Sequence, residues 1–292
     1  MLDLFRAVSR FRSWGWGVQL LAWLAGLVWL LAASADVPMP ARWVWGATLL
    51  VCLGALIATW RGKISVWEAL MIEAGALATA TSALGLFHWH VITKPAAMVF
   101  AIAAVVADAC QSSAGGTFRL DSSERWLLGA LLGSLAGDVF LMAQGLFIPG
   151  LVSFLVAHLC YIALFRVGVP WLAHRLALAA TVLLGVGMYA FLWQGGLPTE
   201  LRAPVVVYVL AIALMAAQAW ARWRQLASRS ALCVALGASC FMLSDSLLAT
   251  NRFVQPLPWA SLWVLATYYL AQALIVMGML RSMRGPARCR QR

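Results

Sequence analysis

Apolar runs long enough to cross a membrane follow one another along nearly the whole of this 292-residue chain, and that recurrence constrains the fold more than any single residue does. A run of roughly 18 or more apolar residues is the length a helix needs to span a hydrocarbon core. About ten such windows occur, at 14–33, 43–60, 65–88, 95–112, 126–143, 148–166, 170–193, 204–221, 231–250 and 259–280. Inside a bilayer only helices and closed barrels satisfy their own backbone. Barrel strands alternate with period two, and these runs do not. The fold class is therefore all-α, a polytopic transmembrane helical bundle of about ten spans. With 64% hydrophobic and 11% charged residues, little is left over from which a soluble domain could be built.

The formal charge of +11 would suit a nucleic-acid binder, but its distribution argues otherwise. With the N-terminus inside and about ten crossings, all basic residues except Arg42, Lys94, Arg202 and Arg252 fall on the cytoplasmic side. This is the positive-inside asymmetry, and it predicts an N-in/C-in topology in the cell inner (plasma) membrane. No nucleic-acid partner is expected; membrane lipids with anionic headgroups are. The first run lacks a small-residue cleavage site and reads as a retained span. Cys52, Cys110, Cys160, Cys233 and Cys240 lie in spans and Cys289 in the basic tail, with no CxxC pair. Neither disulfides nor a thiolate metal site are expected.

Residues 1–63 read as a transmembrane hairpin without internal ionisable groups, and 283–292 as a basic cytoplasmic tail. The longest loop lies around 113–125, with Ser122 and Ser123 as possible N-caps of the next helix. An internal echo runs through the rest. Lys94-Pro95 and Arg202-Ala203-Pro204 open two spans, and Asp138 and Asp245, Pro149 and Pro256, and Tyr161 and Tyr268 recur at one spacing. The pattern fits a parallel duplication of four helices.

A carboxylate in a span costs roughly 2.5–3.5 kcal/mol on insertion scales, so each one asks for a reason. Glu68 and Asp108 lie near cytoplasmic helix ends and are expected to reach water, Asp108 with Arg119 as a further partner. Glu73 is deeper and is a candidate to support a site. Asp138 and Asp245 each lie about 8 Å below the outer end of a helix, by the 1.5 Å rise per residue. Small residues precede both, which lets helices approach closely. Two acids at matched depth can face one cavity. His158 lies near the midplane, with Tyr161 three residues on and on the same face. His88 and His90 form an H-x-H at the outer end of the third window, but helix positions two apart diverge, so no metal site is expected there. Lys94 is expected to snorkel to the outer headgroups or to bind a lipid phosphate. Tyr268, Tyr269 and Gln272 give the last span a polar stripe that suggests a cavity wall, and Ser244 adjoins Asp245.

The blocks TKPAAM, GSLAGDVFLM, FIPGLVSFLVAHLCYIALF, LGASCFMLSDSLLATNRF and YYLAQALIVMG, in this order, resemble the YhhN-like lysoplasmalogenase family. The resemblance covers about residues 65–282 and implies an eight-helix catalytic core over 64–282, to which the N-terminal hairpin is appended. It implies hydrolysis of the vinyl ether bond of a lysoplasmalogen, a lysophospholipid drawn from the bilayer, to a fatty aldehyde and glycerophosphoethanolamine or glycerophosphocholine. It also implies Asp138 and Asp245 as the leading catalytic candidates; the residues themselves offer Lys94, His158, Tyr161, Ser244, Tyr268, Gln272 and Glu73 for binding or supporting roles.

The chemistry suits those residues independently. A vinyl ether opens when acid protonates its β-carbon, giving an oxocarbenium ion that water captures. An acid in apolar surroundings beside a second carboxylate divides the work as paired carboxylates do in glycoside hydrolysis. No cofactor or metal is needed. Three other classes remain open at this point. A proton-coupled transporter would also use paired intramembrane aspartates. A metal-dependent membrane hydrolase would need more deep histidines than His158. In a scaffold the aspartates would only pair helices.

Overall fold

The computed structural model describes residues 39–112 and 119–284, together with 17, 19–24 and 28. Most of the first predicted span, and the basic tail beyond 284, lie outside the described residues. Within them there are nine helices, which we number in chain order. They are α1 (Met39–Trp60), α2 (Val66–Ala83), α3 (Phe87–Ser112), α4 (Ser122–Met142), α5 (Phe147–Arg166), α6 (Arg175–Gln194), α7 (Thr199–Leu226), α8 (Arg229–Phe253) and α9 (Ala260–Met283). All but α2 are long and apolar enough to cross a membrane. The chain is a polytopic all-helical membrane protein.

Two compact units pack separately, Met1–Phe118 and Arg119–Arg292. In the first, α1 packs on α2 and α2 on α3. Several expectations are corrected there. The break between the third and fourth windows falls at 84–86, so His88 and His90 open α3 rather than close the preceding helix, and Pro95 lies inside α3. The N-terminal cap explains Glu68. Ser65 and Glu68 form a capping box, Ser65 N–H donating to Glu68 Oε2 at 2.7 Å and Glu68 N–H to Ser65 Oγ at 3.2 Å, so this acid is buried rather than solvated. Asp108 is buried as well. Lys94 is buried among the helices of this unit, not extended to headgroups, and Glu73 is half-buried on α2.

The second unit is a bundle of α4 to α9. Asp121, not Ser122 or Ser123, caps α4, in a capping box with Glu124. Pro204 lies inside α7 rather than at its start. Helix α4 packs on α5 and α8 on α9, while α7 touches α5, α6 and α8. Glycines set the close approaches. A Cβ on Gly133 would lie 3.1 Å from the Ala157 backbone nitrogen, and one on Gly237 would lie 2.9 Å from the Ala271 carbonyl. No side chain can be added at either place unless the helices separate, which is the use predicted for small residues in membrane bundles. At one end of the bundle Gln218 satisfies the α5–α6 connection through Leu172 N–H, Phe165 O and Pro170 O, and Arg222 reaches Val167 O and Ser282 Oγ. These bonds satisfy most of the buried polar atoms there, as an apolar interior requires, although Arg222 Nε has no hydrogen-bond partner among the described residues.

Candidate active site

Asp138 on α4 and Asp245 on α8 both belong to the second unit. Each carboxylate accepts a hydrogen bond from a tyrosine on another helix. Tyr268 of α9 donates to Asp138 Oδ2 at 2.7 Å, and Tyr208 of α7 donates to Asp245 Oδ2 at 2.6 Å. Hydroxyl to carboxyl bonds of this length are short, and they are charge-assisted where the acid is ionised. The two aspartates nevertheless differ in access. Asp138 is 2% exposed, whereas the Asp245 side chain is 16% exposed and forms part of the wall of a pocket that Asp138 does not line.

An aromatic cluster fills the space around the two pairs. Phe241 lies edge-on to Phe154, His158, Tyr161 and Tyr268, with ring centres 4.8–6.3 Å apart. His158 also stands edge-on to Tyr208 at 5.1 Å. Its ring is fully buried, and Nε2 lies 3.7 Å from Asp245 Oδ2, just beyond hydrogen-bond reach. Neither ring nitrogen meets hydrogen-bond geometry among the described residues. An unpaired imidazole in such a place is costly unless a substrate or water completes it.

The pocket itself is walled by α4 to α8, with Leu141, Leu151, Phe154, Met188, Val209, Ile212, Met242 and Leu248 among its apolar residues. Its polar groups are Tyr208, Asp245, Ser246 and Arg252. A concave apolar cavity with a few convergent polar groups has the make-up of a site for an amphiphilic molecule.

The remaining residues singled out in the sequence divide plainly. Tyr161 donates to Gln272 Oε1 at 2.6 Å, and Gln272 Nε2 donates to Ser134 Oγ at 3.1 Å, a relay joining α5, α9 and α4. Tyr268, Tyr269 and Gln272 are all buried and none of them lines the pocket, so the stripe faces the packed interior, not a cavity wall. Ser244 donates to Val264 O at 2.9 Å and ties α8 to α9, which is a structural role. Lys94 and Glu73 belong to the first unit. His90 Nδ1 is held by Ala78 O at 3.0 Å. Two pocket residues had been overlooked, Tyr208 as an ordinary residue of an apolar run and Arg252 as an outer topological charge.

Apolar helices around a buried tyrosine–carboxylate centre that opens on a greasy pocket define an integral membrane protein with a lipid-compatible site. The YhhN family model matches residues 89–279, and the chain belongs to that family. It is 38% identical to human lysoplasmalogenase TMEM86B over 156 residues, which are 53% of this chain and 64% of that protein. It is 36% identical to human lysoplasmalogenase TMEM86A over 174 residues, 55% of this chain and 67% of that one. With the lysoplasmalogenase of Mycobacterium tuberculosis the identity is 28% over 262 residues, 87% of this chain and 92% of that one. The match thus spans just under two thirds of the human TMEM86B relative and most of the mycobacterial one. No solved structure matches the chain.

Proposed function

We propose that this chain is a multi-pass hydrolase of the inner (plasma) membrane, with both termini in the cytoplasm, that cleaves the vinyl ether bond of lysoplasmalogens. The observation that carries this reading is Asp245, a carboxyl group set into the wall of an apolar pocket, with Tyr208 bonded to one of its oxygens and His158 3.7 Å away. The relatives named lysoplasmalogenase supply the substrate class.

Tyr208 occupies Oδ2, which leaves Oδ1 of Asp245 to hold the acidic proton. Transfer of that proton to the β-carbon of the vinyl ether leaves an oxocarbenium ion at the α-carbon. Asp138, held by Tyr268, whose ring meets Phe241 beside His158, favours the positive charge as it develops. Water adds to the α-carbon and returns its proton to Asp245. The resulting hemiacetal then breaks its bond to the glycerol oxygen, which takes up the hydroxyl proton. The products are a fatty aldehyde and a glycerophospho-base. A ring nitrogen of His158 is placed to hold the attacking water or the carboxyl once the pocket is filled. The chain's own side chains suffice for every step.

A proton-coupled transporter is the less favoured reading, because only one of the two acids lines the pocket and the other has no access to it. The experiment is fatty aldehyde release from a lysoplasmalogen by the full-length protein purified in detergent, beside the ester-linked lysophospholipid of the same chain. Aldehyde from the vinyl ether with no fatty acid from the ester is the expected result. A well-folded protein that cleaves neither lipid would overturn the reading.

A further inference from the structure

The pocket at Asp245 has two chemically distinct ends, and Arg252 stands at one of them. Asp245 and Arg252 lie seven residues apart on α8, two helical turns, so they share a face about 10 Å apart along the axis. The Arg252 guanidinium lies over the Phe147 ring at 4.9 Å, and Phe147 in turn packs edge-on against Phe253 at 5.7 Å. That contact holds the cation at the rim of the pocket. Among the described residues Arg252 has no carboxylate partner, so its planar fork of donors is unspent. Beyond Asp245, in the opposite direction along α8, the walls are Gly185, Ile212 and Met242, with no polar side chain.

From this order of groups we propose that Arg252 is the phosphate anchor of the site and fixes how the substrate lies. The inference rests on the hydrolase reading and adds the substrate's register. A guanidinium recognises a phosphodiester through two parallel hydrogen bonds, and an adjacent aromatic face keeps it in place. Seven bonds separate the phosphorus of a lysophospholipid from the β-carbon of a 1-alkenyl chain. At the roughly 1.2 Å advance per bond of an extended chain, that is about 8–9 Å, matching the Asp245–Arg252 spacing. With the phosphate at Arg252, the β-carbon reaches Asp245 and the first carbons of the tail enter the apolar end at Met242. A two-chain phospholipid would have to place its second chain at the glycerol, between these anchors. The site thereby selects a phosphodiester-bearing, single-chain ether lipid.

The test compares wild type, Arg252→Gln and Arg252→Lys in a phosphate-free detergent. The substrates are a 1-alkenyl lysophospholipid and the 1-alkenylglycerol of the same chain, which lacks the phosphate. Arg252→Gln is expected to raise KM for the lysophospholipid about 10- to 100-fold, the cost of losing a charge-assisted pair, with kcat much less affected. For the alkenylglycerol the penalty shrinks to under about threefold, and Arg252→Lys recovers part of the lysophospholipid KM. If Arg252 only meets phosphates of the surrounding bilayer, the two substrates change alike, and the proposal falls while the hydrolase reading stands. Binding of the non-cleavable 1-alkyl lysophospholipid and of 1-alkylglycerol, read as thermal stabilisation, covers the other case. Arg252-dependent stabilisation by the phosphate-bearing analogue without aldehyde release from any substrate would keep the anchor and remove the hydrolase. Equal stabilisation of wild type and Arg252→Gln by that analogue would overturn the anchor.

Discussion

Asp138 and Asp245 each accept a hydrogen bond from a tyrosine hydroxyl on another helix, at 2.7 and 2.6 Å, yet their surroundings could hardly be less alike. Around Asp138, Tyr268 is packed by Phe154 and Phe241, and the acid does not line the pocket. Around Asp245, Tyr208 and the acid together face open apolar space, with His158 behind them. Identical partners in unequal settings teach that hydrogen bonding alone does not assign a role; access does. In the proposed mechanism the acid that gives its proton to carbon has to touch the substrate, which assigns that role to Asp245 on the pocket wall and leaves Asp138 to act through its charge.

The largest effect that tests this contrast is the loss of each acid in turn. Asparagine keeps an oxygen to accept from the tyrosine while removing the acidic proton at position 245 or the charge at position 138. Asp245→Asn is expected to lower kcat for aldehyde release about 1,000-fold, within the range for a missing general acid. Asp138→Asn is expected to lower it about 10- to 100-fold, the scale of one lost electrostatic partner. Equal losses would merge the two roles, and a larger loss at Asp138 would reverse them.

The tyrosines sharpen the same contrast at smaller scale. Tyr268→Phe leaves a buried Asp138 oxygen short of a donor that no water can replace, at a cost of about 1–3 kcal/mol. Its signature is a lowered thermal unfolding temperature. Tyr208→Phe uncovers an oxygen beside the pocket, where water can take the place of the hydroxyl, so unfolding changes little while kcat falls about tenfold. Should Tyr208→Phe prove the less stable and Tyr268→Phe the less active, the division of access would be wrong.

The bundle and its acids were legible because hydrocarbon makes polar residues conspicuous. Asp138, Asp245 and His158 interrupt apolar helices, and insertion cost alone marks them. Tyr208 escaped because a tyrosine in VVVYVL is also what a lipid-facing helix carries, and its partner lies 37 residues away on another element. Arg252 escaped because a cation at a helix end satisfies topology as well as it satisfies a phosphate. The stripe of Tyr268 and Gln272 misled because a polar face is required equally by a cavity wall and by a buried relay to Asp138 and Ser134. The capping boxes at Ser65–Glu68 and Asp121–Glu124 are written in the sequence as a capping residue followed three positions later by Glu, and they account for the burial of both glutamates. Among the residues of the internal echo, Asp138 takes Tyr268, whereas Asp245 takes Tyr208 and Tyr161 turns to Gln272.

The smallest expected effect concerns what lies under the Asp138 pair. A Cβ on Gly137 would sit 2.6 Å from the ring of Phe154, whereas a Cβ on Gly237 would meet backbone of α9. A ring can rotate aside, but two helix backbones must part. Overpacking of the first kind costs about 1–3 kcal/mol, and Gly137→Ala is expected to lower the unfolding temperature by about 2–10 °C. Phe154 also lines the pocket and stands edge-on to Tyr268, so its displacement reaches both acids at once. KM for the lysoplasmalogen should then rise a few-fold with kcat falling less. Gly237→Ala, although it lies on the same helix as Asp245, should cost more stability and change KM less in the protein that remains folded. If Gly137→Ala left KM at the wild-type value despite the lowered unfolding temperature, Phe154 would be packing for Asp138 alone, and the two regions would be less connected than their shared ring implies.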